Sequence, residues 1–120
     1  MPHPDDDMPV LLHNPRCSKS RAAHALLAER GVAFRERRYL EDPLSRAELA
    51  ALRERLGRPA SEWLRRGEAA YVAAGLDAGS GEAAILDAIA EHPILLERPI
   101  LVRGARAVVG RPPEAVLDLL

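Results

Sequence analysis

Val10 to Arg21 reads VLLHNPRCSKSR: three apolar residues run into a proline-bounded loop, then the only cysteine of the 120-residue chain, then a polar and basic cluster. Pro15 cannot continue a strand ladder and confines Asn14 to extended or turn conformations, so a strand over the apolar run ends near His13. From Ala22 onward the apolar spacing is helical. Ser18 or Ser20 is the residue type that caps orphan N–H groups, so the helix begins around Ser18 to Ser20. Cys17 then stands where a strand, a tight loop and a helix start meet. The positive end of the helix and its free N–H groups favour an anion there, whether the cysteine's own thiolate or an oxyanion beside it. Arg16, Lys19 and Arg21 add positive charge, and such surroundings depress a thiol pKa. A lone cysteine is ordinarily a small buried hydrophobe. The polar, basic, proline-bounded setting argues here for a reactive thiolate.

Outward from this loop, Arg21 to Arg30 reads as the first helix, ended by Gly31, and the alternation of Val32 to Leu40 reads as a strand. Strand, helix and strand within some thirty residues form a right-handed βαβ unit with parallel strands. Cys17 lies at the carboxyl end of its first strand, where open α/β sheets bind ligands. The middle of the chain is helical. Ser45-Arg46-Ala47-Glu48 is a capping box ahead of Leu49, Leu52 and Leu56, and Gly57 stops that helix. A shorter piece follows from Pro59 to Arg66, then helices over Glu68 to Ala74 and Gly81 to Glu91, the last with Ser80 as its cap and Ile85, Leu86 and Ile89 as its buried stripe.

His92-Pro93 closes the helical block, and PILLERPILV returns to β character with Pro99 marking a sharp turn. Ile100 to Arg103 and Arg106 to Val109 form a hairpin about Gly104-Ala105, where glycine supplies the positive φ of a type II′ turn. Gly110-Arg111-Pro112-Pro113 leads into a final helix, Glu114 to Leu119, with Val116, Leu117 and Leu120 to bury. The fold class is therefore α/β: a small mixed sheet built from a βαβ unit and a ββα unit, with a helical insertion over about 45–92. One domain spans 10–120. Residues 1–9, MPHPDDDMP, read as a flexible tail with neither a signal-peptide core nor a membrane span, and His3 with Asp5 to Asp7 as solvated charge rather than metal ligands.

A net charge of -1, with 48% hydrophobic and 29% charged residues, describes a globular chain without the basic field of a nucleic-acid binder. A single cysteine excludes an intrachain disulfide and a cysteine-rich zinc site, and fits a reducing, cytoplasmic setting.

HNPRCSKSR resembles the active-site loop of the glutaredoxin-linked arsenate reductase family, thioredoxin-like proteins with a similar His-Asn-Pro-x-Cys loop after the first strand. YLEDPLSRAEL, WLRRGEAAY, HPILLERPILV and GRPPEAVLDLL are similar to further family segments in the same order, so the resemblance covers Val10 to Leu120. It implies a cis-proline at Pro99 facing the loop, and three arginines around the cysteine: Arg65 in WLRR, with Arg66 adjacent, Arg98 in ERPI and Arg111 in GRPP. Guanidinium groups suit an oxyanion because they present paired N–H donors and do not lose their charge. Arg98 and Arg111 are each pinned beside a proline on the sheet side where Cys17 lies. In this picture His13 tunes the thiolate, Asn14 orders the loop, Ser20 caps the helix or donates to sulfur, and Arg21 supports the site.

The implied activity is reduction of arsenate to arsenite through Cys17, with glutathione as co-substrate and glutaredoxin as partner. It implies no resident metal or organic cofactor, no membrane and no direct nucleic-acid contact. Two alternatives share the fold: an Spx-like transcription regulator binding RNA polymerase, and a glutathione-linked thiol reductase. Spx-type proteins commonly carry Cys-x-x-Cys, where this chain has Ser20. The chain also departs from the better-known reductases in having Ser18-Lys19-Ser20-Arg21 in place of a Gly-Thr-Ser-Arg type sequence.

Overall fold

The apolar run after Pro9 forms β1 (Val10–Leu12), the strand on which the sheet is assembled in this computed structural model, which describes residues 8–120. The metal-ligand question at His3 and Asp5 to Asp7, and the tail through residue 7, lie outside the described residues. Pro9 is buried, and its carbonyl accepts a hydrogen bond from the Arg35 N–H at 2.8 Å.

The chain divides into two compact units. One runs through Asp42 and resumes at Arg98–Leu120; the other is Pro43–Glu97. In the first unit, α1 (Ser18–Glu29) follows β1 and leads to β2 (Arg35–Arg37), which pairs parallel with β1. The hairpin β3 (Ile100–Arg103) and β4 (Arg106–Val109) is added to the other side of β1, with β1 and β3 antiparallel. The four-stranded order is β2-β1-β3-β4. A 3₁₀ helix, Pro113–Leu119, ends the chain and packs against α1 and β4. Leu11, Ala23, Leu27, Leu101, Val116 and Leu119 form the core between sheet and helices, with Val32, Phe34, Val108 and Leu117 packed against it.

The Gly104-Ala105 turn has φ 58° at Gly104 and no positive φ at Ala105, as a type II′ turn requires and a type I′ turn does not. The peptide bond before Pro99 is cis, and so is the bond before Pro112.

Several local readings change. Ser18 and Ser20 do not cap α1: Cys17 itself occupies the N-cap position, and both serines lie within the helix. The strand expected over Val32 to Leu40 pairs over Arg35–Arg37 alone, because β1 offers three residues and the Val32/Phe34 alternation serves core packing.

In the second unit, α2 (Arg46–Leu56) carries the capping box at Ser45 and Glu48, and the left-handed Gly57 ends it. A 3₁₀ turn over Ala60–Trp63, α3 (Ala69–Ala73), α4 (Glu82–Glu91) and a 3₁₀ turn over Pro93–Leu95 complete it. Leu49, Leu52, Trp63, Ile85, Leu86 and Ile89 are buried, and α2 packs on α4. Ser80 does not cap α4. Gly81 holds that position without a side-chain cap, and the Ser80 hydroxyl accepts from the Asp77 N–H instead. Among the described residues no helix is long and apolar enough to cross a membrane.

Gly110 holds the first unit at its tightest point. Its N–H donates to the Pro99 carbonyl at 2.8 Å, and a Cβ there would meet Pro99 Cγ at 2.7 Å and Val116 Cγ1 at 3.0 Å. Overpacking of this kind costs about 1–3 kcal/mol. Gly110→Ala is therefore expected to lower the unfolding free energy from chemical denaturation by that amount, and an unchanged value would refute the close approach.

Candidate active site

The sheet register builds the site. Leu12, Ile100 and Val109 lie in one row across β1, β3 and β4. β1 leaves that row toward Cys17, β3 enters it directly after Arg98-Pro99, and β4 leaves it toward Gly110-Arg111. Antiparallel pairing thus gathers three segments far apart in sequence at one end of the sheet.

Arg111 Nη2 lies 3.8 Å from Cys17 Sγ, while Arg111 Nε donates to the Arg98 carbonyl at 2.8 Å. Arg98 is almost fully buried, and its side chain also hydrogen-bonds the sulfur. The backbone N–H groups of Lys19 and Ser20, in the first turn of α1, favour the charged form of the same atom. Burial is the largest influence on Cys17 and raises its pKa. The Ser20 N–H, the Arg98 hydrogen bond, the Lys19 N–H and the Arg98 charge together outweigh it, and the thiol titrates below its ordinary value.

The loop is fixed by its own polar groups. Asn14 Oδ1 accepts from the Arg16 N–H at 3.0 Å, and the Asn14 carbonyl accepts from the Cys17 N–H at 3.0 Å. Arg21 Nη1 donates to the Pro15 carbonyl at 3.0 Å. The buried Ser20 hydroxyl accepts from the Asn14 N–H at 3.0 Å and sits 2.6 Å from His13 Nδ1.

His13 Nε2 lies 3.4 Å from Glu36 Oε1, which Arg38 Nε also approaches at 3.3 Å. Burial lowers the His13 pKa most, Glu36 acts against it, and His24, Arg38 and Arg21 lower it further. A neutral ring with its proton on Nε2 donates to Glu36 and leaves Nδ1 to accept from Ser20. The His24 ring sits 5.0 Å from that of His13, its other side edge-on to Phe34 at 5.1 Å. His24, Glu36 and Arg38 were not singled out from the sequence. They come from a helix, a strand and the residue just after that strand, with no local motif, and only the βαβ crossover brings them to His13.

Cys17, Arg98, Arg111, Pro99, His13, Asn14, Ser20 and Arg21 all belong to the first unit. Arg65 belongs to the second, where its guanidinium is held by Glu68 at 3.1 Å and Glu97 at 3.2 Å; its neighbour Arg66 is exposed.

The pH dependence follows from the lowered thiol pKa. Thiolate, and with it alkylation by iodoacetamide, persists as pH falls below the ordinary thiol range and is lost only through the folded-state pKa. The alkylation midpoint of the native chain is expected below that of the urea-unfolded chain, and Arg98→Met is expected to move it up. Coincident native and unfolded midpoints would overturn the electrostatic account.

The sequence profile of the ArsC family matches residues 12–119. An arsenate reductase of Neisseria meningitidis serogroup A is 44% identical over 112 residues, spanning 92% of this chain and 96% of that protein. The Escherichia coli protein YfgD is 43% identical over 112 residues, spanning 92% of this chain and 94% of its own. The solved structure of an arsenate reductase from Vibrio cholerae superposes with a TM-score of 0.88 at 43% identity, covering 94% of this chain and 98% of that one. The mixed sheet with its βαβ and ββα halves is thioredoxin-like. Profile, relatives and fold agree along nearly the whole length, and the chain belongs to the ArsC family.

Proposed function

We propose that this chain is a cytoplasmic arsenate reductase that draws its electrons from glutathione, with glutaredoxin as the recycling partner. The carrying observation is the convergence of Arg98 and Arg111 on the Cys17 sulfur at the N-terminus of α1. Donors that stabilise a thiolate there also suit the oxygens of a tetrahedral oxyanion seated against it.

In this reading the Cys17 thiolate attacks arsenic. An S–As bond forms and an As–O bond breaks, the oxygen leaving as water once protonated. That substitution leaves arsenic as As(V); two electrons then convert it to As(III), and they come from a pair of thiols that end as a disulfide. The sequence has one cysteine, so no second thiol of this chain resolves the adduct. External thiols complete the cycle: arsenate and two glutathiones give arsenite, glutathione disulfide and water. Position 20, where an Spx-type switch commonly carries its second sulfur, is a buried serine tied to His13 and Asn14.

Family resemblance assigns Arg65 a part in the same reaction, and its pairs with Glu68 and Glu97 present it as an oriented rather than a wandering cation.

Arsenate-dependent NADPH oxidation, coupled through glutathione, glutaredoxin and glutathione reductase, tests the assignment. Cys17→Ser is expected to abolish turnover, and Arg111→Ala to lower kcat by on the order of 10²–10³, as for removal of one oxyanion donor. Arg65→Ala is expected to impair turnover where Arg66→Ala does not. No arsenate turnover, with Cys17 still alkylated fast at neutral pH, would refute the substrate assignment. Arsenate-independent reduction of a mixed disulfide would instead favour a thiol reductase.

A further inference from the structure

Behind the cysteine loop, three potential ligands arrive from three different elements: His13 from the loop after β1, His24 from α1 and Glu36 from β2. One donor atom from each lies within 4.8 Å of the others, making them a candidate metal-binding group. We propose that His13, His24 and Glu36 form a site for a zinc-class divalent ion, distinct from Cys17 and independent of the arsenate reading.

The donor chemistry selects the ion. Two imidazoles and one carboxylate suit Zn²⁺ and its transition-metal neighbours, whereas Mg²⁺ and Ca²⁺ take oxygen sets. Ligands about 2.0–2.2 Å from a tetrahedral zinc stand roughly 3.4 Å apart. His13 Nε2 and Glu36 Oε1 already have a separation of 3.4 Å. His24 closes the set by a small shift of a half-buried ring whose plane is tilted 37° from that of His13. Three protein ligands leave a fourth position for water, and Glu36 and His24 are open enough to admit it.

The surroundings also match what holds a metal-bound imidazole. Such a ring is oriented by a hydrogen bond at its other nitrogen, and Ser20 Oγ stands 2.6 Å from His13 Nδ1. Arg38 competes for Glu36, but its side chain is half exposed and can swing into solvent without leaving a buried charge. A metal on Nε2 moves the ring proton to Nδ1, which then donates to Ser20 Oγ. The ion thereby ties the loop carrying Cys17 to α1 and β2.

The test uses the full chain as Cys17→Ser, so that the thiolate does not compete for metal, titrated with Zn²⁺ by calorimetry and with Co²⁺ by visible absorption. One equivalent is expected, with the d–d bands of a four-coordinate cobalt and no sulfur charge-transfer band. His24→Phe and Glu36→Gln are each expected to weaken binding by at least about tenfold. Phenylalanine keeps the ring packing on Phe34, and Glu36 is exposed, so at least one variant remains folded. In the ¹⁵N spectrum of the Cys17→Ser chain, zinc is expected to shift His13 Nε2 and to move the ring proton from Nε2 to Nδ1. Undiminished affinity in the folded variants, or zinc shifts confined to His3 and His92, would overturn the site.

Discussion

The pairing of β1 with β3 is the constraint on which the first unit depends. Antiparallel register sets Ile100 opposite Leu12, and from that single alignment Arg98 must enter, and Arg111 leave, at the end of the sheet where β1 runs out. A slip by one residue would turn Leu11 and Leu101 out of the core and carry both arginines away from the sulfur, so core packing and site assembly enforce the same register. Gly110 adds a steric lock, because the chain passes Pro99 and Val116 too closely for a side chain.

The electrostatics of the site rest on opposition rather than accumulation. Burial works against the Cys17 thiolate and is the largest single influence on it, yet the same burial keeps water from competing for the N–H groups and guanidinium that reverse the outcome. His13 shows the complementary case. It is buried beside Arg38 and Arg21 with one carboxylate in reach, and its proton is the less tightly held for it.

Much of this was legible in the sequence where a local rule acts. Pro15 ends β1, Pro99 and Pro112 pin the two arginines, and glycine sets the Gly104 turn; each effect is carried within a few residues. What escaped reading depends on partners distant in the chain. Ser20 and Ser80 look like caps locally, but Ser20 is drawn inward by His13 and Asn14, and Ser80 turns back to Asp77. The alternation of Val32 and Phe34 looks like a long strand, although it reports packing against α1 while strand pairing stops where β1 stops. His24 and Glu36 carry no spacing signal toward His13, since helix, loop and strand each contribute one residue. Arg98 and Arg111 were legible as a pair, but the hydrogen bond that couples them was not.

That coupling limits how an anion can be met. A guanidinium has two faces for a tetrahedral oxyanion, one side-on through Nε and Nη2 and one end-on through Nη1 and Nη2. With Nε of Arg111 given to the Arg98 carbonyl, the side-on edge is closed. In the proposed reading an anion at Cys17 meets Arg111 at its tip, along the axis of the side chain.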